Sequence, residues 1–240
     1  MTSKLMEYFN KQAVEVSQYF MFLKELEKQT SLITNHRLYV GNNTEIKSPE
    51  IYFNDGIDKT LKANGFLILY NLVEGTMRRA IEYIFDHLDD NKISFDVLRQ
   101  ELKIIVLENF KRRSVKKIID RIDNISIDIV ISTLDRNEIF SGNLDTKKIR
   151  EVAEEYGFSS RTSPHRTRNG VDLFTIKNHR KDLAHGWKSF NEIGRNVTAN
   201  ELFQIKNRVI VYLKQILINV ENYLDNQEFL ENDGRNTSVV

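Results

Sequence analysis

The chain contains no cysteine and only two prolines among its 240 residues. The absence of cysteine excludes disulfide bonds, thiolate nucleophiles and cysteine-ligated zinc, and it is compatible with a reducing compartment. Both prolines, Pro49 and Pro164, fall in stretches that read as irregular. No uninterrupted apolar run is long enough to span a bilayer, and the first twenty residues lack the apolar segment of a signal peptide. We therefore expect a cytoplasmic protein without membrane contact.

A large net charge is also missing, because 35 Lys and Arg residues face 34 Asp and Glu residues and leave a formal charge of +1. Any affinity for nucleic acid must therefore be local. A hydrophobic fraction of 40% and a charged fraction of 29% suit a globular protein with a substantial core. The sequence holds no phosphate-binding glycine loop, dinucleotide fingerprint or metal-ligand cluster, so we expect neither a cofactor nor a metal site.

Apolar residues recur at helical spacing along most of the chain, which predicts an all-α fold. Between the first two predicted helices, residues 30–56 read as a small β-hairpin or a loop, because Gly41-Asn42-Asn43 separates Leu38-Tyr39-Val40 from Ile46. We expect one domain over residues 1–240, with a core at 57–224, an N-terminal elaboration at 1–56 and a frayed tail at 225–240. Helices are predicted over residues 3–28, 57–88, 95–110, 115–134, 145–155, 171–184 and 198–223.

Local signals mark some of these helix ends. Asp145 or Thr146 is the expected cap of the helix over 145–155, which should stop at Gly157. Residues 158–170 then read as a loop. Thr198 and Glu201 have the spacing of a capping box at the start of the last helix.

The segment NHRKDLAHG, residues 178–186, places Arg180 five positions before His185, near the end of a predicted helix that stops at Gly186. Arginine is a permanent cation that binds phosphate oxygens, and histidine gains or loses a proton near neutral pH. Of the five histidines, only His185 has an arginine at this distance. The alternative interpretation is a surface arginine and a histidine that merely stabilises the helix dipole.

The helical repeat separates side chains five positions apart by about 140°, so Arg180 and His185 do not share a helix face. Lys181 and Asp182 lie closer to His185 around the helix, and Asp182 is therefore a candidate supporting residue. Two such helices that meet across a twofold axis would place two arginines and two histidines in one cleft. The spacing thus favours a homodimer.

A cleft of this kind would support RNA transesterification without a metal. The 2′-hydroxyl would attack the adjacent phosphate while one imidazole removes its proton and an imidazolium protonates the leaving 5′-oxygen. Arg180 would stabilise the negative charge that develops at phosphorus. The expected products are a 2′,3′-cyclic phosphate and a 5′-hydroxyl, and DNA would resist because it lacks the nucleophile.

Two further features have open interpretations. The segment 159–170 carries Arg161, Arg166 and Arg168 without an acidic residue, and with Lys181 it is a candidate RNA-binding surface or an ordinary solvated loop. Glu74 lies in the apolar helix predicted over 57–88. It is either a carboxylate that orients a side chain of the motif helix or the partner of an internal ion pair with Arg78.

Three blocks of the sequence resemble the HEPN family (higher eukaryotes and prokaryotes nucleotide-binding domain), most closely its MAE-like branch. The resemblance covers roughly residues 57–224 and implies a helical bundle that acts as a dimeric, metal-independent endoribonuclease. Such proteins often serve in toxin–antitoxin or phage-defence systems, with an antitoxin or defence protein as partner. The blocks are residues 67–76, residues 142–145 with 148–150, and residues 176–195.

By this resemblance Arg180 and His185 match the family's catalytic pair. Two positions depart from the pattern. Lys181 stands where many members carry a small polar residue. Trp187 stands where a related toxin group has a tyrosine that its antitoxin modifies, so that control is not expected here. The alternative function is a non-catalytic HEPN module that binds RNA or a partner protein, and a third is a structural helical adaptor in a defence complex.

Overall fold

The computed structural model describes residues 3–39, 55–112, 125–132, 140 and 142–231. Within these ranges the chain forms helices and turns, with one isolated β-bridge and no strand, which confirms the predicted all-α class. None of the helices in this part of the chain combines the length and hydropathy of a transmembrane span. In chain order the helices are α1 (Lys4–Tyr39), α2 (Asp55–Asp90), α3 (Gln100–Arg112), α4 (Ile125–Ser132), α5 (Thr146–Tyr156), α6 (Pro164–Thr167), α7 (Val171–Ala184), α8 (Phe190–Gly194) and α9 (Ala199–Asp225).

The core is built around α2, which packs against α1, α7, α8 and α9. Its segment 66–73 is mostly buried, as expected of a helix that is apolar almost all round. The approach of α8 is especially close, since a Cβ on Gly194 would lie 1.8 Å from the carbonyl oxygen of Lys59. Because α7 and α8 both pack on α2, this core fixes the position of the Arg180–His185 segment.

Helix α1 is longer than the sequence predicts, because it continues to Tyr39 instead of ending near Lys28. Residues 29–39 are more polar, but none of them is glycine or proline, so no residue there stops the helix. The predicted hairpin or loop over residues 30–56 is wrong for residues 30–39, which belong to α1, and for residues 55–56, which belong to α2. Its remaining residues, within 40–54, lie outside the described ranges.

The helix predicted over 95–110 begins later than expected. The Ser94 side chain accepts a hydrogen bond from the Asp96 N–H and caps a 3₁₀ turn at Phe95–Val97. Leu98 is then extended and forms the isolated bridge with Leu230, so α3 starts only at Gln100. Of the helix predicted over 115–134, α4 confirms the second half, while residues 113–124 lie outside the described ranges.

The short helix before the motif is confirmed at both ends. The Asp145 carboxylate accepts the Lys148 N–H at 3.0 Å and caps α5, which ends at Gly157 with a φ of 92°. The following residues, 158–170, are not the plain loop that the sequence predicts, because they contain α6 and a 3₁₀ turn at Arg168–Gly170. Pro164 in the first turn favours α6, since its φ is already helical.

Helix α9 begins with the predicted capping box, in which Thr198 and Glu201 exchange hydrogen bonds. The predicted fraying after the helix is wrong for residues 226–231. Phe229 is buried, and its carbonyl oxygen accepts the Arg99 N–H at 2.9 Å. One buried aromatic side chain therefore holds this polar segment on the bundle. Residues 232–240 lie outside the described ranges.

Candidate active site

Helix α7 carries the candidate motif, and its two ends are held differently. At the N-terminal end, buried Asp172 accepts two hydrogen bonds from Arg208 of α9, at 2.6 and 2.9 Å. At the C-terminal end, Gly186 has a φ of 67°, and the N–H groups of Gly186 and Trp187 donate to carbonyl oxygens in the last turn. This is the Schellman arrangement, which glycine adopts at low cost, and it confirms Gly186 as the stop.

The Arg180 guanidinium is half-buried between α2 and the residues that precede α5. Its central carbon lies 5.0 Å from the centroid of the Tyr70 ring, within the range of a cation–π contact. Gly142 has a φ of 80°, and a Cβ there would lie 3.4 Å from a guanidinium nitrogen. Among the described residues, the Arg180 side chain has no hydrogen bond or ion pair. Among the described residues it therefore contacts the Tyr70 ring, lies beside the Gly142 backbone, and has no counter-charge.

The ring that contacts Arg180 is itself fixed in place. Tyr70 is buried in α2, and its hydroxyl accepts the Leu144 N–H at 3.2 Å. Burial raises the pKa of Tyr70 to about 12; the Leu144 N–H opposes this shift, and the neighbouring Glu74 carboxylate adds to it. The hydroxyl consequently stays protonated at neutral pH.

A second contact joins α7 to the cap of α5. The Lys177 ammonium donates to the Asp145 carboxylate. Burial acts to raise the pKa of Asp145, but Lys177 and the Lys148 N–H outweigh it and leave the pKa below its ordinary value. Together with Tyr70 and Arg180, these contacts bring the three blocks of the HEPN resemblance into one place.

His185 is exposed directly after the last turn of α7. Its imidazole stacks on the Trp187 indole, with ring centroids 5.0 Å apart and an interplanar angle of 27°. The Lys181 ammonium lies 5.0 Å from the centroid of the same indole, and Trp187 itself is 62% exposed. His185 is thus exposed to solvent, beside an indole ring and a lysine ammonium.

Arg180 and His185 share no contact residue in the described part of the chain. The guanidinium lies against Tyr70 and Gly142, whereas the imidazole lies against Trp187. This agrees with the separation of about 140° that the helical repeat imposes. One copy of the chain therefore presents the two groups on different sides of α7.

The two predicted supporting residues contact neighbours other than the motif pair. Asp182 forms an ion pair with Lys188 at 2.6 Å. Glu74 forms an ion pair with Arg78 at 2.8 Å, as the internal-pair interpretation predicts. Because Glu74 also lies beside the Tyr70 hydroxyl, its link to α7 runs through the tyrosine.

The predicted RNA-binding arginines, Arg161, Arg166 and Arg168, are exposed but lie before the start of α7. The length of α7 places them about 20 Å from His185 along the helix axis. Their segment is held on α9, since the Asn219 amide donates to the carbonyl oxygens of Ser159 and Arg161. Of the four predicted RNA-binding residues, Lys181 alone lies in the last turn beside His185.

Sequence reasoning missed the contacts that Tyr70, Gly142 and Trp187 make with the motif pair. The first two stand in the blocks that carry the HEPN resemblance, but nothing in the local pattern shows that they meet Arg180. It also missed His179, whose half-buried ring lies 4.4 Å from that of Phe66. Burial lowers the pKa of His179.

The family model described as HEPN_MAE_28990/-like HEPN matches residues 1–229. The chain belongs to the HEPN family. The match includes α1 and so extends beyond the region in which the three blocks lie. Comparisons with curated proteins and with solved structures gave no significant match. HEPN membership supports a ribonuclease or an RNA-binding module and does not distinguish the two.

Proposed function

We propose that this HEPN protein is a metal-independent endoribonuclease whose site combines Arg180 and His185 from two copies of the chain. One observation carries the proposal: α7 presents a half-buried guanidinium without a counter-charge among the described residues and an exposed imidazole one turn later. An arginine of this kind is suited to bind a phosphate group. An exposed imidazole is suited to transfer protons near neutral pH.

In the proposed reaction the RNA 2′-oxygen forms a bond to the adjacent phosphorus while the bond from phosphorus to the 5′-oxygen breaks. One His185 imidazole takes the 2′-hydroxyl proton, and a second, as imidazolium, protonates the departing 5′-oxygen. Arg180 stabilises the negative charge on the non-bridging oxygens in the transition state. The products are a 2′,3′-cyclic phosphate and a 5′-hydroxyl.

The exposed face of α7 supports the two-copy arrangement. Phe174 and His185 are eleven positions apart and thus lie about 20° from each other around the helix. Phe174 is 57% exposed and Val171, on the same side, is 54% exposed. A twofold axis through this face would bury both apolar side chains and bring two His185 rings together.

The proposed setting is the cytoplasm, in a toxin–antitoxin or anti-phage defence system with an antitoxin or defence protein as partner. The family resemblance supports this setting. If it is correct, expression of the wild-type protein should arrest growth, and His185→Ala should relieve the arrest. Equal growth with both proteins would argue against a toxin.

The second candidate is a non-catalytic HEPN module that binds RNA or a protein. The observation that favours it is Trp187, an exposed ring beside the Lys181 ammonium, since aromatic and basic groups together bind single-stranded RNA. The same surface would serve either function.

The test is incubation of the purified protein with mixed RNA in EDTA. We expect cleavage to 2′,3′-cyclic phosphate ends, and we expect Arg180→Ala and His185→Ala each to lower the rate by about 10²-fold or more. A matched oligonucleotide with 2′-deoxy sugars should bind to the protein but stay intact, because it lacks the attacking 2′-hydroxyl. Intact RNA with retained binding would favour the non-catalytic module instead.

A further inference from the structure

The contacts of Arg180 are made by residues outside its own helix. We propose that Tyr70 and Gly142 are positioning residues, which hold the Arg180 guanidinium in one orientation ready for a phosphate group. The chemical purpose of this arrangement rests on the proposed ribonuclease function. The geometry itself does not, so it can be tested separately.

Tyr70 and Gly142 act as a connected pair. The buried Tyr70 ring lies 5.0 Å from the guanidinium carbon. Its hydroxyl accepts the N–H of Leu144, two positions after Gly142, at 3.2 Å. One hydrogen bond thus joins the tyrosine to the backbone segment that forms the other side of the contact.

The way in which Arg180 is held suits anion binding. A cation–π contact uses the π-system of the ring and does not consume the N–H donors of the guanidinium. None of these donors is hydrogen-bonded within the described residues. A free surface arginine loses much rotamer freedom when it binds phosphate, whereas a side chain already ordered by folding loses less.

Gly142 lies beside the guanidinium and has a backbone conformation that favours glycine. Its φ of 80° disfavours a side chain, and a Cβ there would come into van der Waals contact with the Arg180 guanidinium, at 3.4 Å. Gly186 has a similar φ of 67°, but no atom lies within 4 Å of its Cβ position. Gly186→Ala is therefore a matched control for Gly142→Ala, because it has similar backbone strain without the contact.

The first experiment measures the Arg180 Nε–Hε NMR signal in the full-length protein, assigned by its loss in Arg180→Lys. We expect the tyrosine ring to shield this proton. Tyr70→Leu should therefore move the signal downfield, whereas Tyr70→Phe, which keeps the ring, should retain most of the shielding. Gly142→Ala should move the signal and Gly186→Ala should not. An Arg180 signal unmoved by Tyr70→Leu in a folded variant would overturn the proposal.

The second experiment measures RNA cleavage. Since a misplacement of about 1 Å can lower a rate by about 10²-fold, we expect Tyr70→Leu to lower kcat by about 10- to 100-fold with a smaller change in KM. Gly142→Ala should lower kcat by less, because its Cβ adds only a van der Waals contact to the guanidinium. Tyr70→Phe should recover most of kcat. In an Arg180→Lys background, Tyr70→Leu should have little further effect. Equal losses in both backgrounds would contradict positioning through Arg180.

The NMR and cleavage measurements distinguish failure of the positioning proposal from failure of the ribonuclease proposal. If the wild-type protein binds RNA but does not cleave it, the ribonuclease proposal fails while the NMR shifts still decide the role of Tyr70 and Gly142. If the wild-type protein cleaves RNA and Tyr70→Leu retains full kcat, the positioning proposal fails and the ribonuclease proposal stands.

Discussion

At the N-terminal end of α7, buried Asp172 accepts two hydrogen bonds from Arg208, whereas at the C-terminal end His185 and Trp187 stack on each other in solvent. The first end is completed by α9 of the same chain. The second end exposes a titratable ring, an indole and the Lys181 ammonium. The difference indicates that contacts within one copy pair the charged groups at the N-terminal end of α7 and leave the side chains at its C-terminal end exposed.

Arg180 lies between these two situations. Its guanidinium is half-buried, in contact with Tyr70 and beside the Gly142 backbone, yet no acidic group forms an ion pair with it among the described residues. In the proposed function this guanidinium binds a phosphate group, and the exposed face with His185 and Phe174 packs against a second copy. The closed end of α7, at Asp172, and its open end, at His185, should therefore respond differently to substitution.

The largest expected effect concerns the two aspartates of α7. Asp172→Ala leaves Arg208 without its buried partner and should lower the free energy of unfolding by about 3–5 kcal/mol. Asp182→Ala removes an ion pair with Lys188, which is 50% exposed, and should lower it by less than about 1 kcal/mol. Urea unfolding measures both. Equal losses would remove the contrast between the two ends.

Next in size is the effect on self-association. Phe174→Glu places a charge on the exposed face of α7, and because a twofold interface contains the change twice, the dimer dissociation constant should rise at least about 10²-fold. The matched control is Phe22→Glu on α1, since Phe22 is 54% exposed and Phe174 is 57% exposed. Sedimentation equilibrium gives the dissociation constants. Dissociation by Phe22→Glu alone would place the interface elsewhere.

A smaller effect is expected from the arginines at the closed end. If Arg161, Arg166 and Arg168 bind RNA phosphates, their joint replacement by alanine should make the slope of log K against log salt concentration about 2 less steep. Each contact to a phosphate of single-stranded RNA contributes about 0.7 to this slope. The cleavage rate at saturating RNA should not change, because these residues lie far from His185. Fluorescence anisotropy at several salt concentrations measures the slope. An unchanged slope would make the segment an ordinary solvated surface.

The smallest effect concerns His179, whose pKa is lowered by burial and by the Lys188 ammonium, although Asp182 acts to raise it. The unfolded chain takes up the proton near the ordinary value of 6.5, while the folded chain resists until lower pH. The stabilising contribution is thus complete above about pH 6.5 and is lost as the pH falls from there through the folded pKa. His179→Leu should flatten this part of the pH dependence of unfolding. If the free energy of unfolding changed with pH equally in the wild-type and His179→Leu proteins, His179 would not be the source of this pH dependence.

Features of the fold that depend on neighbouring residues in sequence could be predicted. Asp145, Gly157 and the Thr198–Glu201 capping box mark helix ends through contacts within one turn, and the structure confirms each. The extent of α1 could not be predicted, because polar residues without glycine or proline neither stop a helix nor show what it packs against. Burial of Phe229 likewise depends on contacts with a distant part of the chain.

The candidate site divides in the same way. The Arg180–His185 spacing and the stop at Gly186 are local signals, and the separation of the two side chains around α7 follows from the helical repeat. The contact of Arg180 with Tyr70 joins segments far apart in sequence and needs the packing of α7 on α2. The motif pair and its geometry were thus predictable from the sequence, while the groups beside Arg180 required the tertiary structure.

A mixture of equal amounts of the wild-type and His185→Ala proteins, assayed on RNA in EDTA after subunit exchange, tests the shared site most directly. The proposed cleft uses the imidazole of each copy, so a mixed dimer with a single His185 should not cleave. After random exchange only about a quarter of the dimers carry two wild-type chains, and the mixture should keep about half of the activity of the wild-type protein that it contains. Full retention of that activity would contradict a cleft that needs His185 from both copies.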